Sequence, residues 1–291
     1  MKKEIKIFCF GFGQVAKNFI NKIQSENINF NLSITCRDLT KEIEINKRKF
    51  ISYQFNEKLF DPNLVDSLKK ADHILISIPP INREDLVIKN FSKILEKSKV
   101  KWITYLSATS VYGNHNGEWV DEKSKCLASS ENGINRIEAE NSWLALCVKK
   151  LPVQIFRLSG IYSNQNNILT RLKKGKVNLV SKNNHFFSRI HVEDIANILF
   201  KSLTNFKSGE IFNISDDKPS SSTEITLYGA KILNVDIPKK IEVDQITSEM
   251  MKNFYKDSKK VSNIKMKNFF NYKLKFPTYE EGLNYIRNNF V

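Results

Sequence analysis

Cysteine is scarce: Cys9, Cys36, Cys126 and Cys147 are the only four in 291 residues. They form no CxxC pair and no metal-spaced cluster with the four histidines, which excludes a disulfide scaffold and a structural zinc site. Glycine (10) and proline (7) are also sparse, so the chain is neither collagen-like nor low in complexity. Long apolar runs are missing. The longest, ILISIPPI at 74–81, contains a proline pair and is far too short to span a bilayer. In the opening MKKEIKIFCFGFG, Glu4 and Lys6 break the apolar stretch, so no signal-peptide core is expected. Arginine is the rare cation, with 8 against 38 lysines. Dedicated phosphate readers favour arginine forks, and these lysines are scattered among 32 asparagines. Despite a net charge of +15, nucleic-acid binding is not expected.

What is present is a globular composition, 41% apolar and 26% charged. A chain of this length buries roughly 75% of its unfolded surface and needs no metal to fold. A soluble, reduced, cytoplasmic protein of one large domain or two unequal ones is expected.

The first half alternates two periods. Residues 4–10 (EIKIFCF) predict a strand, and 14–24 a helix burying Val15, Phe19, Ile20 and Ile23. Further strands are predicted at 30–36, 49–55, 73–80, 100–107 and 153–160. Asp61-Pro62 opens a short helix, and longer helices are predicted at 84–97 and 131–149. The last should bury Ile134, Ile137, Leu144 and Val148. Such alternation implies an α/β fold with a doubly wound parallel sheet and right-handed crossovers. Beyond residue 163 the alternation is lost. A Rossmann-type domain over 1–162 and a smaller C-terminal substrate lobe over 163–291 are expected.

Gly11-Phe12-Gly13-Gln14-Val15-Ala16 follows the first strand and opens the first helix with GxGxxA spacing. Gly11 permits the tight turn, Gly13 lets a pyrophosphate approach the backbone, and the small Ala16 lets helix and strand pack closely. The helix start, with Gln14 and Val15, offers free N–H groups and partial positive charge to phosphates. After the second strand stands Thr35-Cys36-Arg37-Asp38. Arginine here accommodates a 2′-phosphate, whereas an acid bonds the ribose 2′-hydroxyl. Arg37, with the Thr35 hydroxyl beside it, favours NADP. NAD remains open, with Asp38 as the ribose ligand.

GFGQVA (11–16), SIPP (77–80), YLSATSVYG (105–113), FRLSGIY (156–162), FSRIHVEDIA (187–196), FNISDDKP (212–219) and FPTYEEGL (276–283) stand in one order along nearly the whole chain. Together they resemble the extended short-chain dehydrogenase/reductase superfamily, and more closely its atypical, NAD-dependent epimerase/dehydratase-like branch. The resemblance implies NAD(P) binding, an oxidoreductase or epimerase/dehydratase activity on a sugar-nucleotide-like or small carbonyl substrate, and a possible homodimer. Ile78, Pro79, Ser107 and Arg136 join Gly11, Gly13, Gln14, Val15, Thr35 and Arg37 as expected cofactor residues. Active members use a Ser or Thr in the YLSATSVYG strand and a Tyr-x-x-x-Lys pair on the long helix. Aligned on VYG, this chain has Ala108 at the first position, flanked by Ser107, Thr109 and Ser110. Asn132 stands for the tyrosine and Arg136 for the lysine. Ser107, Thr109, Asn132 and Arg136 are thus the catalytic candidates of a nonstandard site. A catalytically silent NAD(P)-binding sensor is the alternative.

Other residues carry two readings each. Arg136 either donates to a cofactor or pairs with Glu140 one turn on. Arg189 either faces a substrate anion or pairs with Glu193 or Asp194. Tyr112 is expected to pack beneath the site, His191 to make a structural hydrogen bond, and Trp102 and Trp143 to lie in the core.

Overall fold

The computed structural model describes residues 4–180 and 182–291. The chain begins with β1 (Ile5–Phe10), α1 (Gln14–Ser25), β2 (Phe30–Cys36), β3 (Lys41–Ile45), β4 (Arg48–Gln54) and α2 (Leu64–Lys70). Then come β5 (His73–Ile76), α3 (Leu86–Glu96), β6 (Trp102–Ala108), β7 (Trp119–Val120), α4 (Glu131–Val148), β8 (Val153–Leu158) and β9 (Gly160–Tyr162). The remainder comprises α5 (Ile168–Lys173), β10 (Leu179–Val180), β11 (Arg189–His191), α6 (Val192–Ser202), β12 (Ile211–Ile214) and α7 (Ser222–Leu233). It ends with β13 (Lys240–Ile241), α8 (Glu249–Lys256), β14 (Lys260–Val261), α9 (Ile264–Phe270) and α10 (Tyr279–Phe290).

Eight strands form one sheet in the order β12-β8-β6-β5-β1-β2-β4-β3. The pairs β1–β2, β1–β5, β2–β4 and β5–β6 are parallel, and β3–β4 is antiparallel. The order β4-β2-β1-β5-β6-β8 is the 3-2-1-4-5-6 arrangement of a doubly wound Rossmann sheet. The α/β expectation is met. Parallel strands are covered on both faces, which is why β1, β5 and β6 are nearly continuous apolar runs. The polar KEIEI of β3 escapes that pattern because it is an exposed edge strand, where charge blocks further pairing. Its hairpin to β4 turns on Asn46-Lys47, both at positive φ.

Two compact units emerge. The first comprises Met1–Ser107, Ile134–Arg157 and Ala196–Ile211; the second comprises Ala108–Gly133, Leu158–Ile195 and Phe212–Val291. The first unit's core gathers Phe8, Phe10, Tyr53, Phe55, Phe91, Tyr105 and Trp143. The second's forms where Tyr162 and α5 meet α7 and α10, through Leu169, Ile225, Leu283 and Ile286. There Asp194 is buried and accepts bonds from the Tyr272 hydroxyl (2.6 Å) and the N–H groups of Lys275 (2.7 Å) and Phe276 (3.0 Å).

Three local expectations need correction. α2 starts at Leu64, so Pro62 lies in the turn before the helix. Val148 is 86% exposed; α4 buries Asn135, Ala139, Trp143 and Leu146. The Trp143 indole sets that face, because it fills the core and donates to Asp85 at 3.1 Å. Glu140 does not pair with Arg136. It accepts from Arg157 at 2.7 Å (Nη2) and 3.1 Å (Nε), with both side chains at most 5% exposed.

That buried pair generates a test. Removing one partner strands the other charge away from water, at a cost of about 3–5 kcal/mol. Glu140→Ala should lower unfolding free energy by that amount in a urea titration, whereas Glu138→Ala, at an exposed position two residues away on the same helix, should change it by less than about 0.5 kcal/mol.

Candidate dinucleotide site

In the first unit, the predicted residues meet along the C-terminal edge of the sheet, at the ends of β1, β2, β5 and β6. Gly11 follows β1 with φ +83°, where a side chain is strained. A Cβ there would lie 2.8 Å from Ile78 Cγ2 and 2.9 Å from Ser77 Oγ. The Gly11 N–H donates to Thr35 Oγ1 at 2.8 Å. Thr35 is buried at the end of β2, so its role is to hold the turn.

Gly13 differs from Gly11 in one respect that matters. Its φ is −79°, and a Cβ would meet nothing within 4 Å. Its outer face is open, as a cradle for another molecule must be. Gly13 caps α1 and, as a glycine, brings no side chain of its own to the helix's leading N–H groups. No acidic residue occupies the first turn. Val15 is buried on the helix's inner face and Gln14 is half-buried. A helix start capped by an open glycine, with no acidic residue in its first turn, fits a phosphate or pyrophosphate.

Across the turn, Ser77 is the residue that sequence reasoning missed. Its hydroxyl donates to the Phe10 carbonyl at 3.0 Å and lies 3.2 Å from that of Gly11. A hydroxyl directly after the β5 run was the available signal. Ile78 is half-buried and Pro79 exposed. Arg37 is exposed just past β2 and makes no ion pair among the described residues; Asp38 is exposed beside it.

Ser107 lies at the end of β6, 2% exposed, with a hydroxyl that has no hydrogen-bond partner among the described residues. Arg136 Nη1 donates to the neighbouring Leu106 carbonyl at 3.0 Å, fixing the guanidinium against that strand. Tyr105 is too buried to replace the missing tyrosine, and burial pushes its pKa up.

The other two catalytic candidates belong to the second unit. Thr109 is buried in a 3₁₀ turn, and Asn132 is exposed in the first turn of α4. Tyr112 is fully buried and donates to Asn213 Oδ1 at 2.7 Å. His191 Nδ1 accepts from the Glu193 N–H at 3.3 Å, so the ring is neutral with its proton on a buried Nε2. Tyr162 and Phe276 pack on it at 5.0 and 4.2 Å. Burial lowers its pKa to about 4, a structural imidazole rather than an acid–base group. No group of metal-ligating side chains occurs among the described residues. No helix among them is long and apolar enough to cross a membrane.

No family model matches the sequence, nor does any curated protein. Solved structures do match. A functionally unknown conserved protein from Silicibacter pomeroyi has a TM-score of 0.84 at 26% identity, over 98% of each chain. MoeE5 in complex with UDP-glucuronic acid and NAD has a TM-score of 0.76 at 16% identity, over 96% of each chain. The dTDP-glucose 4,6-dehydratase from Bacillus anthracis in complex with NAD has a TM-score of 0.76 at 17% identity, over 98% of this chain and 97% of its own. This chain therefore has the fold of NAD-bound epimerase and dehydratase structures.

Two predictions follow from these contacts. Gly13→Val should fold normally and lose dinucleotide binding in a nicotinamide fluorescence titration, because its side chain enters open space. Gly11→Val should instead lose thermal stability, because it clashes inside the protein. For His191, the folded pKa lies below the unfolded value of about 6.5, so the unfolded chain binds more protons in between. Stability should fall as pH drops from about 6.5 towards 4, by up to about 3 kcal/mol from this residue. His191→Phe should flatten that part of the stability–pH curve; the burial-depressed His73 and His185 retain theirs.

Proposed function

We propose that this protein binds a nicotinamide dinucleotide on its first unit and acts as an oxidoreductase or epimerase/dehydratase-like enzyme of the atypical short-chain dehydrogenase/reductase type. One observation carries the reading: a helix start capped by an open glycine, at the edge of a 3-2-1-4-5-6 sheet. The NAD and UDP-sugars in structures of the same fold support it. A sugar-nucleotide-like or small carbonyl substrate fits, with 163–291 as the substrate lobe.

The roles divide by chemistry. The N–H groups of Gln14 and Val15 face the pyrophosphate, Thr35 and Ser77 hold the turn that presents them, and Ile78 and Pro79 border the ligand. Arg37 takes the 2′-phosphate, which favours NADP over NAD. Arg136 orients the cofactor ribose from its fixed position beside β6. The nicotinamide supplies hydride exchange when bound. Proton transfer is left to the hydroxyls of Ser107 and Thr109 or to the substrate itself, since Asn132 does not titrate near neutral pH and Arg136 stays charged. General acid–base catalysis is typically worth 10²–10⁴-fold, so turnover on simple carbonyls is slow. The same two substitutions, with Ala108, support the second reading, a dinucleotide sensor without turnover.

Titration with NADPH and NADH tests the first claim. Charge-assisted bonds contribute about 1.5–3 kcal/mol, so Arg37→Ala should weaken NADPH about tenfold or more and leave NADH nearly unchanged. A wild-type preference for NADH would make Asp38 the ribose ligand, and failure to bind either would sink the assignment. Turnover assays across sugar nucleotides and small carbonyl compounds then separate enzyme from sensor.

A further inference from the structure

The C-terminal ends of α5, α7 and α10 meet in the second unit. Lys173, in the last turn of α5, donates to the Val291 carbonyl at 3.0 Å, next to the end of α10. Arg287 of α10 donates to the Ile232 carbonyl, near the end of α7, at 3.5 Å. The strand after α5 also meets the loop after α7. There the Leu179 N–H donates to the Lys239 carbonyl at 2.9 Å, and Leu179 of β10 stands opposite Lys240 of β13. Segments 171–176, 231–240 and 287–291 are thereby gathered, and they hold eight cations against one acid, Asp236.

Helix electrostatics account for part of that excess. Lys173, Lys231 and Arg287 occupy last turns and Lys174 the C-cap of α5, where a cation offsets the negative end of the helix dipole. Lys239 and Lys240 follow a loop and have no such role. Lys239 forms no ion pair among the described residues, and Lys240 reaches Glu242 only at 3.7 Å. The side chains between the cations set this surface apart from a solvated basic face. Val235, Ile237 and Phe290 are 42%, 64% and 53% exposed. None of the three lines the unit's cavities of about 680 and 300 Å³; they stand on a loop and a helix end instead.

We propose that this end of the second unit docks reversibly on an anionic lipid bilayer, with the lysines among the headgroups and Val235, Ile237 and Phe290 at the acyl boundary. A peptide partner seats its apolar side chains in a groove, and these residues line neither cavity. Nucleic acid is read through arginine forks and stacked bases, whereas six of the eight cations here are lysines. A negatively charged surface attracts lysines without demanding a fixed geometry, and apolar groups exposed beside them enter the interface. Few apolar groups take part, so the contact is reversible and salt-sensitive. Docking there needs no contribution from the dinucleotide turn of the first unit.

Sedimentation of the full chain with vesicles tests this, using phosphatidylcholine alone and phosphatidylcholine with about one-third phosphatidylserine. The protein should bind the anionic vesicles at about 0.05 M salt, leave them at about 0.5 M, and ignore the zwitterionic ones. Lys174→Glu, Lys239→Glu and Lys240→Glu together should weaken binding about tenfold or more. Lys93→Glu, Lys97→Glu and Lys99→Glu, at exposed positions of the first unit, change the net charge equally and should weaken it less than about threefold. Val235→Ser with Ile237→Ser should weaken it about fivefold with no change of charge. All these positions are exposed, so the variants keep the fold, which thermal unfolding verifies. Absence of binding to anionic vesicles, or equal loss in the two triple variants, would overturn the proposal. Affinity unchanged by the two serine substitutions would also overturn it, since a surface read by charge alone belongs to a soluble polyanion.

Discussion

The turn between β1 and α1 is the constraint on which the first unit depends. Its backbone must reverse within two residues, and it is clamped from two sides by Thr35 at the end of β2 and Ser77 after β5. Gly11 is required by its positive φ and by the side chains pressed against it. After that turn α1 begins at Gln14, and Gly13 at its N-cap presents an open face. Gly11 and Gly13, two residues apart, are thus needed for opposite reasons: one is pressed by neighbouring side chains and the other leaves its outer face open.

Two buried arginines show two ways in which a desolvated charge is held. Arg157 meets Glu140 in a forked pair sealed from water, which ties α4 to β8. Arg189 is almost as buried, but its bonds go to neutral acceptors through one nitrogen. The same desolvation cost acts on both. In the first case a carboxylate offsets it, and in the second neutral acceptors hold the guanidinium.

Proton management follows from what surrounds the missing tyrosine. Tyr105, Tyr112 and His191 are sequestered in packed aromatic surroundings, and burial makes each a poor proton exchanger or a structural donor. Ser107 differs in that its buried hydroxyl has no hydrogen-bond partner among the described residues.

The doubly wound parallel sheet and the glycine turn were legible in the sequence because they rest on local rules. Strand and helix periods, a positive-φ glycine and a helix start are all set by residues a few positions apart. The faces of α4 were not, because four aliphatic residues and one indole compete for the core, and the tertiary hydrogen bond from Trp143 to Asp85 decides. β12 escaped for a similar reason: Ile211–Ile214 is too short to announce itself and becomes a strand through a sheet already built. Pairing of charges was equally hidden. Sequence spacing offered Glu140 to Arg136 and Glu193 or Asp194 to Arg189, whereas the folded chain joins Glu140 to Arg157 and Glu193 to Lys275. Ion pairs depend on which side chains burial brings within a few ångströms, and that distance is a property of the tertiary structure alone.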